Sequence, residues 1–198
     1  MSGLATRCEL ELPAWVGGFV ERWGAPLDSP RAGMRLAIAL ATQNIEHDSG
    51  GPFAAVVLDE AARRVVAVGV NQVTASGLSI AHAEIVALSL AQQRLGDWNL
   101  AREARLTLVT TCEPCAMCFG ALPWSGVRRL VCGARQEDAE AAGFDEGDKP
   151  ADWVASLVAR GIEVERDVLR TETRALFGAY RRLGGEIYNV GADGAGDS

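Results

Sequence analysis

The sequence predicts an α/β chain in which a mixed sheet is covered by helices on both faces. Three observations predict it. Short apolar runs bounded by glycine, proline or acidic residues read as strands, segments with apolar residues at helical spacing fall between them, and a hairpin comes first, followed by strand–helix alternation. The 198 residues fit one domain. Apolar residues at 48% and charged residues at 23% are an ordinary globular balance, which excludes overall disorder or a collagen-like chain.

Taken in order, Pro13 to Trp23 carries Trp15, Val16, Phe19, Val20 and Trp23 on one stripe of a short helix, weakened by Gly17-Gly18. Ser29-Pro30 reads as an N-cap with proline in the first turn of a second helix, continued by Met34, Ala37, Ile38 and Ala41 to about Ile45. Gly50-Gly51-Pro52 breaks the chain. Phe53 to Leu58 is then a buried strand with Val65 to Val70 as its antiparallel partner, followed by a loop holding Asn71 and Gly77. Ala81 to about Leu95 is a helix with Ile85, Leu88 and Gln92 on one side. Leu106 to Thr111 is a strand, and Pro114 suits the first turn of a helix running to Leu122. Arg129 to Gly133 is the fourth strand and Ile162 to Val168 the fifth. Asp152 can cap a helix through Val158, and Thr171 a last helix carrying Leu176, Tyr180 and Leu183. Residues 191–198 are low in complexity and read as a tail, leaving 1–190 as a single domain with an N-terminal helical extension.

Nineteen basic against 26 acidic residues leave a net charge of −7, and Lys149 is the only lysine. A net-acidic chain without a basic run is a poor candidate for gripping a nucleic-acid backbone. No apolar run approaches the ~20 residues of a membrane helix. The opening residues lack a secretory pattern, and five cysteines are an odd number with three clustered, so a reduced, cytoplasmic chain is expected. Cys8 and Cys132 read as packing residues and His47 as an ordinary loop histidine.

The clustered thiols carry the chemistry. His82-Ala83-Glu84 opens one predicted helix, and Pro114-Cys115-Ala116-Met117-Cys118 opens another. Cys115 and Cys118 stand one helical turn apart, so both sulfurs can face one point. One imidazole and two thiolates make three zinc ligands with a fourth position left for water, the pattern of a catalytic site. Helix N-termini favour the thiolates. Glu84, two residues from His82, can serve that water as a proton shuttle without binding the metal. Competing readings are a closed structural zinc site using Cys112 as well, and an iron–sulfur cluster. The run Cys112, Cys115, Cys118 lacks the latter's fourth cysteine, since Leu122-Pro123 stands there.

The HxE and PCxxC motifs resemble the cytidine-deaminase-like superfamily of zinc deaminases acting on nucleobases. From about Gly50 to Tyr188 the chain is similar to its guanine and guanosine deaminase branch: Gly50-Gly51-Pro52-Phe53 leads into the first strand, Asn71 has the spacing of the branch's base-contacting asparagine, and Ala141-Ala142-Gly143-Phe144-Asp145 matches a loop of guanine deaminases. Cys112 to Leu122 also matches the zinc helix of transfer-RNA adenosine deaminases. The resemblance implies a three-layer αβα sandwich with a five-stranded mixed sheet, a Zn2+ cofactor and a homodimer, often with C-terminal exchange. Tyr188 then closes a partner's pocket or packs locally. The implied reaction is hydrolytic deamination of an amino-purine base or nucleoside, with Glu84 moving the proton and the main-chain amides near Ala83 and Cys115 orienting the oxygen. Asn71 would bind the ring or sugar, and Asp145 or Glu146 the substrate edge unless they are surface acids. Phe53 either stacks on the base or belongs to the core. The chain departs from the branch at Glu146, where a second aspartate is usual, and at Ala54, where many relatives have glycine. A broad nucleoside deaminase that includes cytidine, a transfer-RNA adenosine deaminase and a non-catalytic zinc-binding module are the alternatives.

Overall fold

The computed structural model describes residues 3–102 and 105–189. Five strands form one sheet in the order β2-β1-β3-β4-β5: β1 Ala54–Asp59, β2 Arg64–Val70, β3 Leu106–Cys112, β4 Arg129–Ala134 and β5 Glu163–Glu165. β1 runs antiparallel to β2 and to β3, while β3, β4 and β5 are parallel. β1 and β3 are buried throughout, which is why both read as continuous apolar runs rather than as an alternation.

Strand side chains alternate between two layers. Ala54, Val56, Leu58, Val109 and Val131 face α2 (Pro30–Glu46) and α8 (Arg170–Arg182), with α1 (Ala14–Glu21) packed outside them. Ala55, Val57, Leu108, Leu130 and Cys132 face α4 (Ala83–Leu95), α5 (Ala116–Ser125) and α7 (Trp153–Val158). These are the three layers that the sequence predicts. Burying this much apolar side chain, at roughly 1.5–3 kcal/mol each, makes the sheet a rigid base for whatever sits at its edge.

Ser29 caps α2 by accepting from the Ala32 amide, as Ser29-Pro30 predicts. Other boundaries differ. Pro114 precedes α5, whose N-cap is Cys115. Asp152 stands at the N-cap of α7 without a side-chain cap bond. Leu169, in the left-handed region at φ 55°, occupies the N-cap of α8, so Thr171 lies inside the first turn. Leu183 is exposed beyond the end of that helix. β5 stops at Glu165, three residues short, because Asp167 also takes positive φ and turns the chain towards Arg135. On α4 the buried stripe is Ala83, Val86, Ala87, Leu88 and Ala91; Ile85 and Gln92 border a groove beside Trp124. Two short helices, α3 (Val73–Ser76) and α6 (Gln136–Ala141), stand where only loops are predicted. Cys8 is exposed, not packed, whereas Cys132 is buried, and His47 stacks on Trp15 at 5.3 Å. Residues 191–198 lie outside the described residues.

Candidate active site

The carboxyl end of β3, the start of β1 and the end of β2 meet at one edge of the sheet. The N-termini of α4 and α5 both arrive there. His82 is the N-cap of α4 and Cys115 the N-cap of α5, so the two helix starts bring their unpaired amides and partial positive charge to one place. His82 Nδ1 lies 3.4 Å from Cys115 Sγ and 3.7 Å from Cys118 Sγ. The three donor atoms lie within 4.8 Å of one another, a spacing that one tetrahedral ion can bridge. Soft sulfur with imidazole is a donor set for zinc. Cys112 remains outside it, its thiol directed to the Arg135 carbonyl at 3.7 Å, which removes the geometry that a closed four-ligand site or a cluster would need.

The two thiols differ sharply. A hydrogen bond from Cys118, opposed by burial and helped by His82, brings Cys115 down to about 4. Cys118, which gives that bond and is buried beside Glu84, is pushed well above the ordinary thiol value. Burial lowers His82, but the bond to Cys115 and the surrounding negative groups outweigh it and the net shift is upward. Cation binding draws on these ligands in deprotonated form.

Glu84 follows His82 by two residues, and its side chain is buried. Thr110 Oγ1 on β3 donates to its Oε1 at 3.1 Å, and the Cys118 thiol reaches its Oε2 at 3.5 Å. Burial, then the Cys115 charge, raises its pKa, while His82 opposes the rise. A carboxyl so placed is suited to take a proton and give it back.

Opposite these groups, a narrow cleft of ≈ 330 Å³ is walled by Phe53, Asn71, Glu146 and Tyr188. A wider one of ≈ 790 Å³ shares His82, Cys115, Glu146 and Tyr188 with it. Glu146 is buried, and burial followed by the Cys115 charge raises it to about 8. Asp145 is exposed and borders only the wider cleft; its carboxylate accepts from the Gly147 amide at 2.9 Å. Phe53 both lines the cleft and packs edge-on against Phe144 at 4.9 Å, so the two readings of this residue coexist. Tyr188 stands over its own chain's cleft, 5.5 Å from Phe144 and 6.4 Å from the His82 ring between centroids. Ala83 is the first residue of α4, and its amide has no acceptor in the helix. Near Cys115, the Ala116 amide is already taken by the Glu146 carbonyl at 2.8 Å.

Several supporting residues escape sequence reading. Glu113, buried, accepts from Arg166 Nε at 2.6 Å and from the Gln136 amide at 3.1 Å. Lys149 donates to the Pro114 carbonyl at 2.8 Å and lies 4.7 Å over the Trp153 ring. Thr110 and Asn44 join them. Their partners lie 26 or more residues away in most of these bonds, and no local spacing announces them.

Residues 28–134 match the family model of the cytidine and deoxycytidylate deaminase zinc-binding region. The chain belongs to this deaminase family. The deaminase is 38% identical over 125 residues to guanine deaminase of Bacillus subtilis, covering 60% of this chain and 77% of the relative. A solved structure of guanine deaminase from Nitrosomonas europaea is 42% identical with a TM-score of 0.83, covering 91% of this chain and 100% of the other. Another solved structure, a complex with 8-azaguanine, is 42% identical with a TM-score of 0.84 over 89% of this deaminase and 98% of the other chain.

Proposed function

We propose that this deaminase hydrolyses the exocyclic amine of a guanine-like purine, with His82, Cys115 and Cys118 holding zinc and Glu84 carrying the proton. The observation that carries the reading is the buried Glu84 carboxyl between the metal donors and a cleft lined by an amide, a carboxyl and two aromatic rings. Zinc bound by these three residues supplies Lewis acidity that makes a water nucleophilic near neutral pH. Glu84 accepts a proton from the attacking water and returns it to the purine. The water oxygen bonds to the amine-bearing carbon, the carbon–nitrogen bond breaks, and ammonia leaves. Thr110 holds the Glu84 carboxyl in place. Phe53 and Tyr188 offer faces to the ring, Asn71 a hydrogen bond to its edge, and Glu146 a partner for its N–H groups. The free base fits this reading better than a nucleoside because the cleft is narrow where Tyr188 stands over it.

Glu84→Gln tests the proton role. Zinc content should be unchanged while ammonia release from guanine falls by about 10²–10⁴-fold, the usual worth of a positioned acid–base group. Retained zinc with full activity rejects the assignment. Guanosine, cytidine and adenosine assayed beside guanine test the substrate. The reading includes a cytoplasmic homodimer, supported by the exposed Trp124 beside the groove between α4 and α5 and by five free cysteines; light scattering tests the dimer.

A further inference from the structure

Asn44 lies near the end of α2, fully buried and outside every motif of the metal site. It spends both hydrogens of its Nδ2 on main chain: the Gly51 carbonyl at 2.9 Å and the Asn71 carbonyl at 2.9 Å. Its Oδ1 accepts from Ser49 Oγ at 3.0 Å, and that hydroxyl accepts from the Trp15 indole at 3.2 Å. The Ser49 carbonyl in turn takes Gln72 Nε2 at 3.1 Å. One buried amide therefore ties the turn before β1 to the turn after β2, the two segments that deliver Phe53 and Asn71 to the cleft.

The space is tight. Gly50 sits at φ +148°, and a Cβ there would run into the Asn71 carbonyl and stand 3.1 Å from Asn44 Nδ2. With the two turns fixed, Asn71 Oδ1 receives the Val73 amide at 3.2 Å and the Gly51 amide at 3.4 Å. Its oxygen is thus committed to main chain, and its Nδ2 is the group left for the cleft.

We infer that Asn44 is a positioning residue for purine recognition: it fixes the orientation of Asn71 so that the cleft presents an N–H donor there and selects substrates with an acceptor, a ring nitrogen or carbonyl, at that edge. This rests on the reading of Asn71 as a substrate contact.

Asn44→Asp keeps the shape and sets a carboxylate oxygen against two carbonyls. In the zinc-loaded variant the KM for guanine should rise about tenfold with kcat changed less than about threefold, the signature of lost binding rather than lost chemistry. Hydrogen exchange at the Gly51 and Val73 amides should accelerate by about tenfold or more, a readout independent of turnover. In an Asn71→Ala background the same change should add less than about twofold to KM, since coupled residues are not additive. Multiplying effects on KM, unchanged exchange, or a parallel loss of zinc and kcat would overturn the proposal. Should Asn44→Asp fail to fold, Ser49→Ala decides. It frees the Asn44 oxygen and the Trp15 indole while leaving both Nδ2 bonds in place, so it should raise KM by about twofold to fivefold and quicken exchange at the same two amides, and no change in either overturns the inference. A parent that releases no ammonia from guanine refutes the substrate reading, and the exchange measurement then judges Asn44 separately.

Discussion

The metal-donor wall of the cleft and the proposed purine wall facing it are built by opposite means. His82, Glu84, Cys115 and Cys118 come from the first turns of two helices, four residues on two short motifs. Phe53, Asn71, Glu146 and Tyr188 come from four separate segments, each outside a helix or strand. The first wall is set by helical geometry and a few neighbouring bonds. The second depends on distant ties such as Asn44 to the Asn71 turn and Phe144 to Tyr188. On the proposed function, reaction chemistry sits on the rigid elements and discrimination on the turns, where change is tolerated without loss of the sheet.

If that division holds, damage to one wall should leave the other working. The largest effect is expected from Cys118→Ser. Zinc content measured by atomic absorption should fall to background, with ammonia release down by about 10³-fold or more, because a three-ligand site loses a thiolate. Next, Tyr188→Ala should keep its zinc and raise the KM for guanine about tenfold with a small change in kcat, the loss of one stacked ring. A fall in zinc content in that variant would merge the two walls into one unit.

The smallest effect should come from a region belonging to neither wall. Arg170 donates to both oxygens of Asp138, at 2.8 and 3.1 Å, tying α8 to α6, and this bond holds the Asp138 carboxyl below its ordinary value. A depressed acid contributes stability above its unfolded pKa, and the contribution is lost as pH falls through the folded value. Asp138→Asn should lower unfolding free energy by about 1–3 kcal/mol at pH 7, the worth of a hydrogen bond to a charged group. Its deficit against the parent should shrink below the ordinary aspartate value of 3.8, with kcat and KM unchanged at pH 7. Chemical denaturation at the two pH values measures this.

The same contrast governs what could be read from the sequence. His82 and the cysteine pair are legible because a helical turn converts their spacing directly into geometry. β1 and β3 are legible because both faces of each strand are buried. β5 is legible as a strand but not in its length: its residues alternate acidic and half-buried at the sheet edge, and the run of apolar positions continues past the point where Asp167 and Leu169 turn left-handed. α6 is hidden, since six polar and small residues are held by the Asp138 bond to the Arg135 amide and by Arg170 rather than by an apolar stripe. Asn44 looks like any polar residue late in a helix until the fold brings Gly51 and Asn71 to it.

Lys149 carries one more consequence. It is the sole lysine, and its ammonium holds the Pro114 carbonyl immediately before a metal-binding cysteine. Amine-directed acylating reagents therefore find a single side chain to modify, and they find it behind the reactive centre. A fluorophore or biotin coupled there would cancel the charge and release the Pro114 carbonyl, so routine amine labelling would itself disturb the turn that carries a metal donor.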